Sequence, residues 1–222
     1  MQWQMFIKSL VNALDVDKSL ANSYKDYHVK GMDYLNLHRT SELTVKYISC
    51  DGALEQLNKK YNLALNPHTK QYNQSIILLD GILDIVTFNY VERALPIDQP
   101  KAFSAATNGH NRFNYVSLLR NEISTFDYQD TGYLTIKEEV RLSEHGDNIH
   151  IKFDEIQSFR VIGDTKFLVL QYRTLKKPFT EFYQQNAVAP QLDDLYKKFT
   201  VNEITGKINL LDQFVSTPLK AA

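Results

Sequence analysis

The sequence predicts a mainly β protein, a sandwich or barrel of short strands with helices at both ends. Three observations carry this reading. Segments of period-two alternation recur at close spacing from Met32 onward, separated by turn residues rather than by helices. Thirteen Tyr and twelve Phe stand against only eight Gly, an aromatic enrichment that suits pleated, half-buried surfaces. Amphipathic helical spacing marks the two ends, with Trp3, Phe6, Leu10, Val11 and Leu14 at one and Leu192, Leu195, Tyr196 and Phe199 at the other.

Taken in order, MQWQMFIKSLVNALD reads as an amphipathic helix and Lys18 to Asp26 as a second, shorter one. GMDYLNLHR and ELTVKYIS are strands joined by a turn at Thr40-Ser41. DGALEQLNKKY reads as one or two helical turns after an Asp-Gly breaker. A strand from about Thr69 to Leu79 then runs into Asp80-Gly81, which between two apolar runs signals a hairpin into ILDIVTFNYVE. LPIDQPKAFSAATNGHN is loop, followed by the strands RFNYVSLLRNE, GYLTIKEEVRLSE, NIHIKF, IQSFRVI and KFLVLQYRTL. APQLDDLYKKF turns helical again, and TVNEITGKINLLDQF opens with Thr200 and Glu203 spaced as a capping box. The expected organisation is an N-terminal helical segment over 1–27, a β-barrel over 28–178 and a C-terminal helical extension over 179–222.

Composition removes several function classes. The 25 basic and 26 acidic residues nearly cancel and no basic run appears, which speaks against nucleic acid or an anionic membrane as partner. Arg112, Arg120, Arg160 and Arg173 interleave with aromatics but read as outward charges on packed strands. A single cysteine, Cys50, rules out an internal disulfide framework and fits a reducing compartment. No stretch reads as a signal peptide or a membrane-spanning helix, so a cytoplasmic location is the expectation. Gly-rich phosphate loops, Gly-x-Ser-x-Gly, Cys-x-x-Cys and His-Glu-x-x-His are absent. His28 and His38 have no acid or thiol at ligand spacing and read as structural. His110 lies in a loop entering a strand, and His145 and His150 flank a turn.

Two segments carry a family resemblance. In NPHTKQYNQSIILLDG, His68, Lys70, Gln74 and Gly81 fall where a His-x-His, Glu and Gly motif has its members. In GDNIHIKFDEIQSF, Gly146, Asp147, Glu155 and Ile156 are followed by Gln157 where a second motif has histidine. The order and spacing resemble the cupin superfamily, specifically the single-domain group similar to cysteine dioxygenase, over about Gly31 to Thr174. The resemblance implies a cupin-type jelly-roll β-barrel (double-stranded β-helix) with flanking helices. It also implies a barrel that in working members holds Fe or Mn on histidines and a carboxylate.

Here that set is degenerate. On a strand, His68, Lys70, Tyr72 and Gln74 share one face, so all four are expected to point into the barrel if His68 does. A protonated lysine repels a divalent cation and a neutral glutamine is a poor ligand, leaving His68 alone at a ligand position. The expectation is therefore no metal cofactor and a pocket of His68, Lys70, Tyr72, Gln74 and Gln157. It either is structural or binds a small polar or anionic molecule through Lys70. A buried lysine also shifts its pKa readily, so Schiff-base or general-base chemistry is conceivable there. The alternatives are an Fe- or Mn-dependent cysteine dioxygenase-like oxygenase using His68 with ligands not identified, and an interaction module that forms a homodimer.

Overall fold

The structure is a computed structural model and describes residues 2–54, 67–91, 110–116, 125–172, 179–184 and 195–217. Its two longest strands organise everything else. β3 (Asn73–Val91) and β7 (Ile156–Tyr172) are 19 and 17 residues long and pair antiparallel from Asn73↔Tyr172 to Phe88↔Ile156. Along the other edge of β3 run β5 (Thr125–Leu142) and then β6 (Asn148–Ile151).

That arrangement cannot be flat. β6 ends with Ile151 opposite Gln74, and β7 begins with Ile156 opposite Phe88. Gln74 to Phe88 along a straight strand is about 46 Å at ~3.3 Å per residue. The chain from Ile151 to Ile156 reaches at most about 18 Å. β3 must therefore curl so that its two ends approach one another.

The curl is placed by glycine. Gly81 has φ +87°, and the register with β7 shifts between Leu78 and Asp80 and again between Asp80 and Ile82. A Cβ there would lie 2.4 Å from the Asp164 carbonyl oxygen and 2.7 Å from Thr165 Oγ1. Asp80-Gly81 is thus not the hairpin the sequence suggests, because the same positive φ also serves a bulge inside a continuing strand. IQSFRVI and KFLVLQYRTL are likewise one bent strand rather than two, with Gly163 at φ +69° opposite the bulge.

β1 (Met32–Arg39) and β2 (Leu43–Cys50) extend one half of the sheet from the C-terminal part of β7. β4 (His110–Val116) and β8 (Thr180–Gln184) extend the other half from β5. Residues 67–69 then join β8 back to the start of β7. Tyr183 N–H donates to the Pro67 carbonyl and Thr69 N–H to that of Glu181, both at 2.9 Å, while His68 bridges to Gln157. The result is a jelly-roll β-barrel with helices packed outside, the predicted fold class. The barrel takes in β8, so it extends past the expected boundary at 178.

Two apolar clusters fix the layers. Met32, Ile48, Ile76, Leu78, Leu83, Ile85, Val161 and Phe167 fill the barrel. On the opposite face of the same strands, Leu35, Val45, Tyr47, Ile77 and Leu168 are covered by α1 (Gln2–Asn12) and α3 (Val201–Ser216) through Ile7, Ile204, Leu211 and Val215. Alternation along each strand sorts the two sets. α3 starts on the predicted capping box. The Thr200 hydroxyl accepts from Glu203 N–H at 3.3 Å, and the Glu203 carboxylate accepts from Thr200 N–H at 2.7 Å.

The second N-terminal helix, α2, is shorter than expected and spans Val16–Ala21. The C-terminal helix expected over 189–199 is not helical over residues 195–199, where Tyr196 has φ +59° and Lys197 bridges to Lys25. Its earlier part, and most of the expected helical turns at 51–61, lie outside the described residues. Among the described residues no helix is long and apolar enough to cross a membrane.

Candidate functional site

Register across the sheet shows where polar side chains enter the barrel. Thr44, Gln171 and Gln74 stand opposite one another on β2, β7 and β3. One rung deeper are Asn36, Lys46, Val169 and Ile76, and deeper still Tyr34, Ile48 and Phe167. Asn36, Thr44 and Gln74 are buried, and Tyr34 Oη donates to Asn36 Oδ1 at 3.1 Å. The interior therefore changes from apolar to polar toward one end. The curl of β3 brings the start of β7 to that same end, with Gln157 opposite Thr87 and on the inward parity of Phe159 and Val161.

His68 and Gln157 meet there. Gln157 N–H donates to the His68 carbonyl at 2.9 Å and His68 N–H returns the bond at 2.8 Å. The His68 ring is buried and stacks on Phe182 of β8, with centroids 5.4 Å apart and planes 20° apart. The two positions that stand at ligand sites of the resemblance are thus neighbours, although they come from distant parts of the chain.

Lys70 lies in the irregular link between His68 and β3, where its N–H donates to the Phe153 carbonyl at 3.1 Å. Burial pushes its pKa from 10.5 down to about 7, and the charge of Lys46 adds to the shift. Among the described residues, the Lys70 ammonium has no ion pair. Lys46 is itself held over the rings of Tyr27 and Tyr34, at 5.7 and 5.2 Å from their centroids. His28 closes the group. Its pKa is pushed down to about 3, by burial first and then by the charges of Lys70 and Lys46, so the imidazole is neutral. It sits at φ +67° with Nδ1 2.5 Å from the Tyr196 hydroxyl. The charges of Lys70 and Lys46 thus both bear on a neutral His28.

The predicted set is only partly assembled as expected. Gln74 and Gln157 stand at inward positions of β3 and β7, His68 is buried against Phe182, and Lys70 is desolvated and lies within the field of Lys46. The parity argument that ran through Lys70 and Tyr72 does not hold. His68 is a single-residue bridge, Gln71 and Tyr72 form a bend, and the strand begins only at Asn73. No hydrogen bond links Lys70, Gln74 and Gln157 side chains among the described residues. Lys46, Gln171, Asn36 and Thr44 escaped the sequence reading, as did His28, which read as structural. The alternation of Thr44, Lys46, Ile48 and Cys50 in LTVKYISC was the available signal, since it sets Lys46 on an inward face.

The remaining histidines and arginines are engaged elsewhere. His145 Nδ1 meets the Leu79 carbonyl at 2.9 Å, and His150 Nδ1 meets Ser75 Oγ at 3.1 Å. Arg112 pairs with Asp130, and Arg160 with Asp84; Arg120 and Arg173 lie outside the described residues. Among the described residues no three His, Cys, Asp or Glu side chains group to hold a metal ion.

No family model matches the chain, and no curated protein matches it. Several solved structures do, remotely. A conserved protein of unknown function from Streptococcus pyogenes is 10% identical, covering 64% of this chain and 74% of that one, with a TM-score of 0.33. EutQ from Clostridium difficile is 12% identical over 64% of this chain and 67% of its own, with a TM-score of 0.32. Hydroxypropylphosphonic acid epoxidase from S. wedmorenis is 11% identical over 68% of this chain and 56% of its own, with a TM-score of 0.36.

Proposed function

We propose that this chain is a cupin-type barrel protein that binds a small anionic molecule, a carboxylate or phosphate, at the polar end of the barrel. The observation that supports it is that Lys70 is desolvated, lies within the field of Lys46 and has no ion pair among the described residues. Two ammonium groups at the edge of an apolar interior, with no carboxylate lowering the energy of Lys70 among the described residues, make a site that an anion would complete. Gln74, Gln157 and Gln171 supply carboxamide groups that can donate to the same ligand. A metal-dependent dioxygenase built on His68 fits less well, because Lys70 would repel the cation and the carboxamides would replace charged ligands.

Charge linkage gives the site a pH signature. A bound anion favours the ammonium form of Lys70, so binding takes up a proton near neutral pH and weakens as pH rises. The test is thermal unfolding with inorganic phosphate and with small carboxylates, on wild type, Lys46→Met and Lys70→Met. A rise in Tm that at least halves in both variants is expected. An equal rise in all three proteins, or none in the wild type, overturns the proposal.

A further inference from the structure

We propose that this chain pairs with a second copy of itself through the outer face of β3, β5 and β7, with Arg141 of each copy against the partner's Glu139. The proposal goes beyond the anion-binding reading and does not rest on it.

Alternation decides what this face carries. Leu83, Ile85, Leu142 and Val161 fill the barrel, so the residues between them face outward. They form rungs across the three strands. One rung is Arg160–Asp84–Arg141 and the next is Ser158–Val86–Glu139. Apolar residues lie at both ends, Ile162 opposite Ile82 at one and Ile156, Phe88 and Ile136 at the other. Ile162 is 41% exposed and Ile136 60%, so the apolar ends are open to a partner. Among the described residues, α1 and α3 pack on the other half of the sheet, over Leu35, Tyr47, Ile77 and Leu168.

The order of charges selects the partner. Arg141 and Glu139 are successive outward positions on one strand, and Glu139 is exposed with no ion pair among the described residues. A two-fold axis lying across the strands, midway between the two charged rungs, sets each rung on the other rung of the partner. Arg141 then meets the partner's Glu139 at two equivalent places. Asp84, already neutralised by two arginines, lies over the partner's Val86. Ile162 and Ile82 lie over the partner's Ile156 and Phe88. An axis along the strands would instead set Arg141 against the partner's Arg160, and like charges would oppose it. Facing sheets pack about 10 Å apart, a gap that an arginine and a glutamate span together. Arg141 is already held on Asp84 through Nε and Nη2, at 2.7 and 2.9 Å, so its guanidinium is fixed before a partner arrives.

The experiment is sedimentation velocity of the full chain at increasing concentration. The wild type should pass from monomer to dimer. Glu139→Arg, at an exposed position, should keep its far-UV circular dichroism and weaken the dimer at least about tenfold. Mixing Glu139→Arg with Arg141→Glu should restore a heterodimer, because each copy then offers the charge that the other lacks. That recovery separates an interface from a fold defect, and Arg141→Gln serves in the mixture if Arg141→Glu does not fold. Glu42→Arg, in the turn between β1 and β2, should dimerise as the wild type does. A wild type that stays monomeric at every concentration overturns the proposal. So does a dimer that Glu139→Arg leaves intact, or one that Glu42→Arg weakens equally.

Discussion

His68 and Gln157 exchange both of their backbone hydrogen bonds, at 2.9 and 2.8 Å, and so form the rung that joins β8 to β7. The histidine at the most ligand-like position is therefore a closure residue, with its ring packed on Phe182. His68→Ala should lower stability by about 2–4 kcal/mol in denaturant titration, through lost ring packing. Metal content by mass spectrometry should be substoichiometric in both proteins. Stoichiometric iron or manganese that vanishes in the variant would sink the reading of a metal-free site.

Lys70 gives stability a pH dependence of unusual sign. Unfolded, it binds its proton up to about pH 10.5; folded, only up to about pH 7. Between these values the unfolded chain holds more protons, so the contribution of Lys70 to stability rises with pH. Lys70→Met should therefore be the more stable protein at pH 6, by on the order of a few kcal/mol. That advantage should shrink steadily toward pH 10. A constant difference between the two proteins across this range contradicts the assignment.

On the outer face, Asp84 is buried between Arg141 and Arg160, whose side chains are 55% and 54% exposed, at 2.7 and 2.8 Å. Its pKa is lowered to about 2, chiefly by the hydrogen bond from Arg141. The resulting stabilisation is present above about pH 4 and lost as pH falls toward 2. Removing the carboxylate frees two arginines that water can solvate, whereas removing both arginines strands a buried charge. Asp84→Ala should cost about 1–2 kcal/mol, and Arg141→Ala with Arg160→Ala about 3 kcal/mol or more. Equal costs at pH 7 would contradict the geometry.

Gly81 should tolerate no side chain. Alanine there adopts a positive φ and meets backbone atoms of Asp164 and Thr165. The expected loss in Gly81→Ala is about 2–4 kcal/mol, from strain plus overpacking. Gly206→Ala is the control. Its added Cβ meets nothing within 4 Å and it lies inside α3, so it should stabilise slightly. A Gly81→Ala midpoint matching wild type in urea would mean that β3 bends elsewhere.

Much of the architecture is legible in local patterns because alternation and capping act over a few residues. Trp3 to Leu14 announce α1, Thr200 and Glu203 start α3, and LTVKYISC shows a strand with two distinct faces. The Asp80-Gly81 pair misleads because a hairpin turn and a bulge need the same backbone freedom at glycine. Which one forms depends on whether the next segment pairs backward on β3 or onward with β5 and β7, and those strands are distant in sequence.

By itself the sequence determined that the chain is a β-barrel and that helices flank it. Each of these follows from residue type and short-range spacing. Only the tertiary structure decided that Lys70 is desolvated within the field of Lys46, that burial keeps His28 neutral, and that His68 closes the barrel. Those outcomes depend on desolvation and on charges brought close by the curl of β3, and long-range pairing of that kind leaves no periodic trace along the chain.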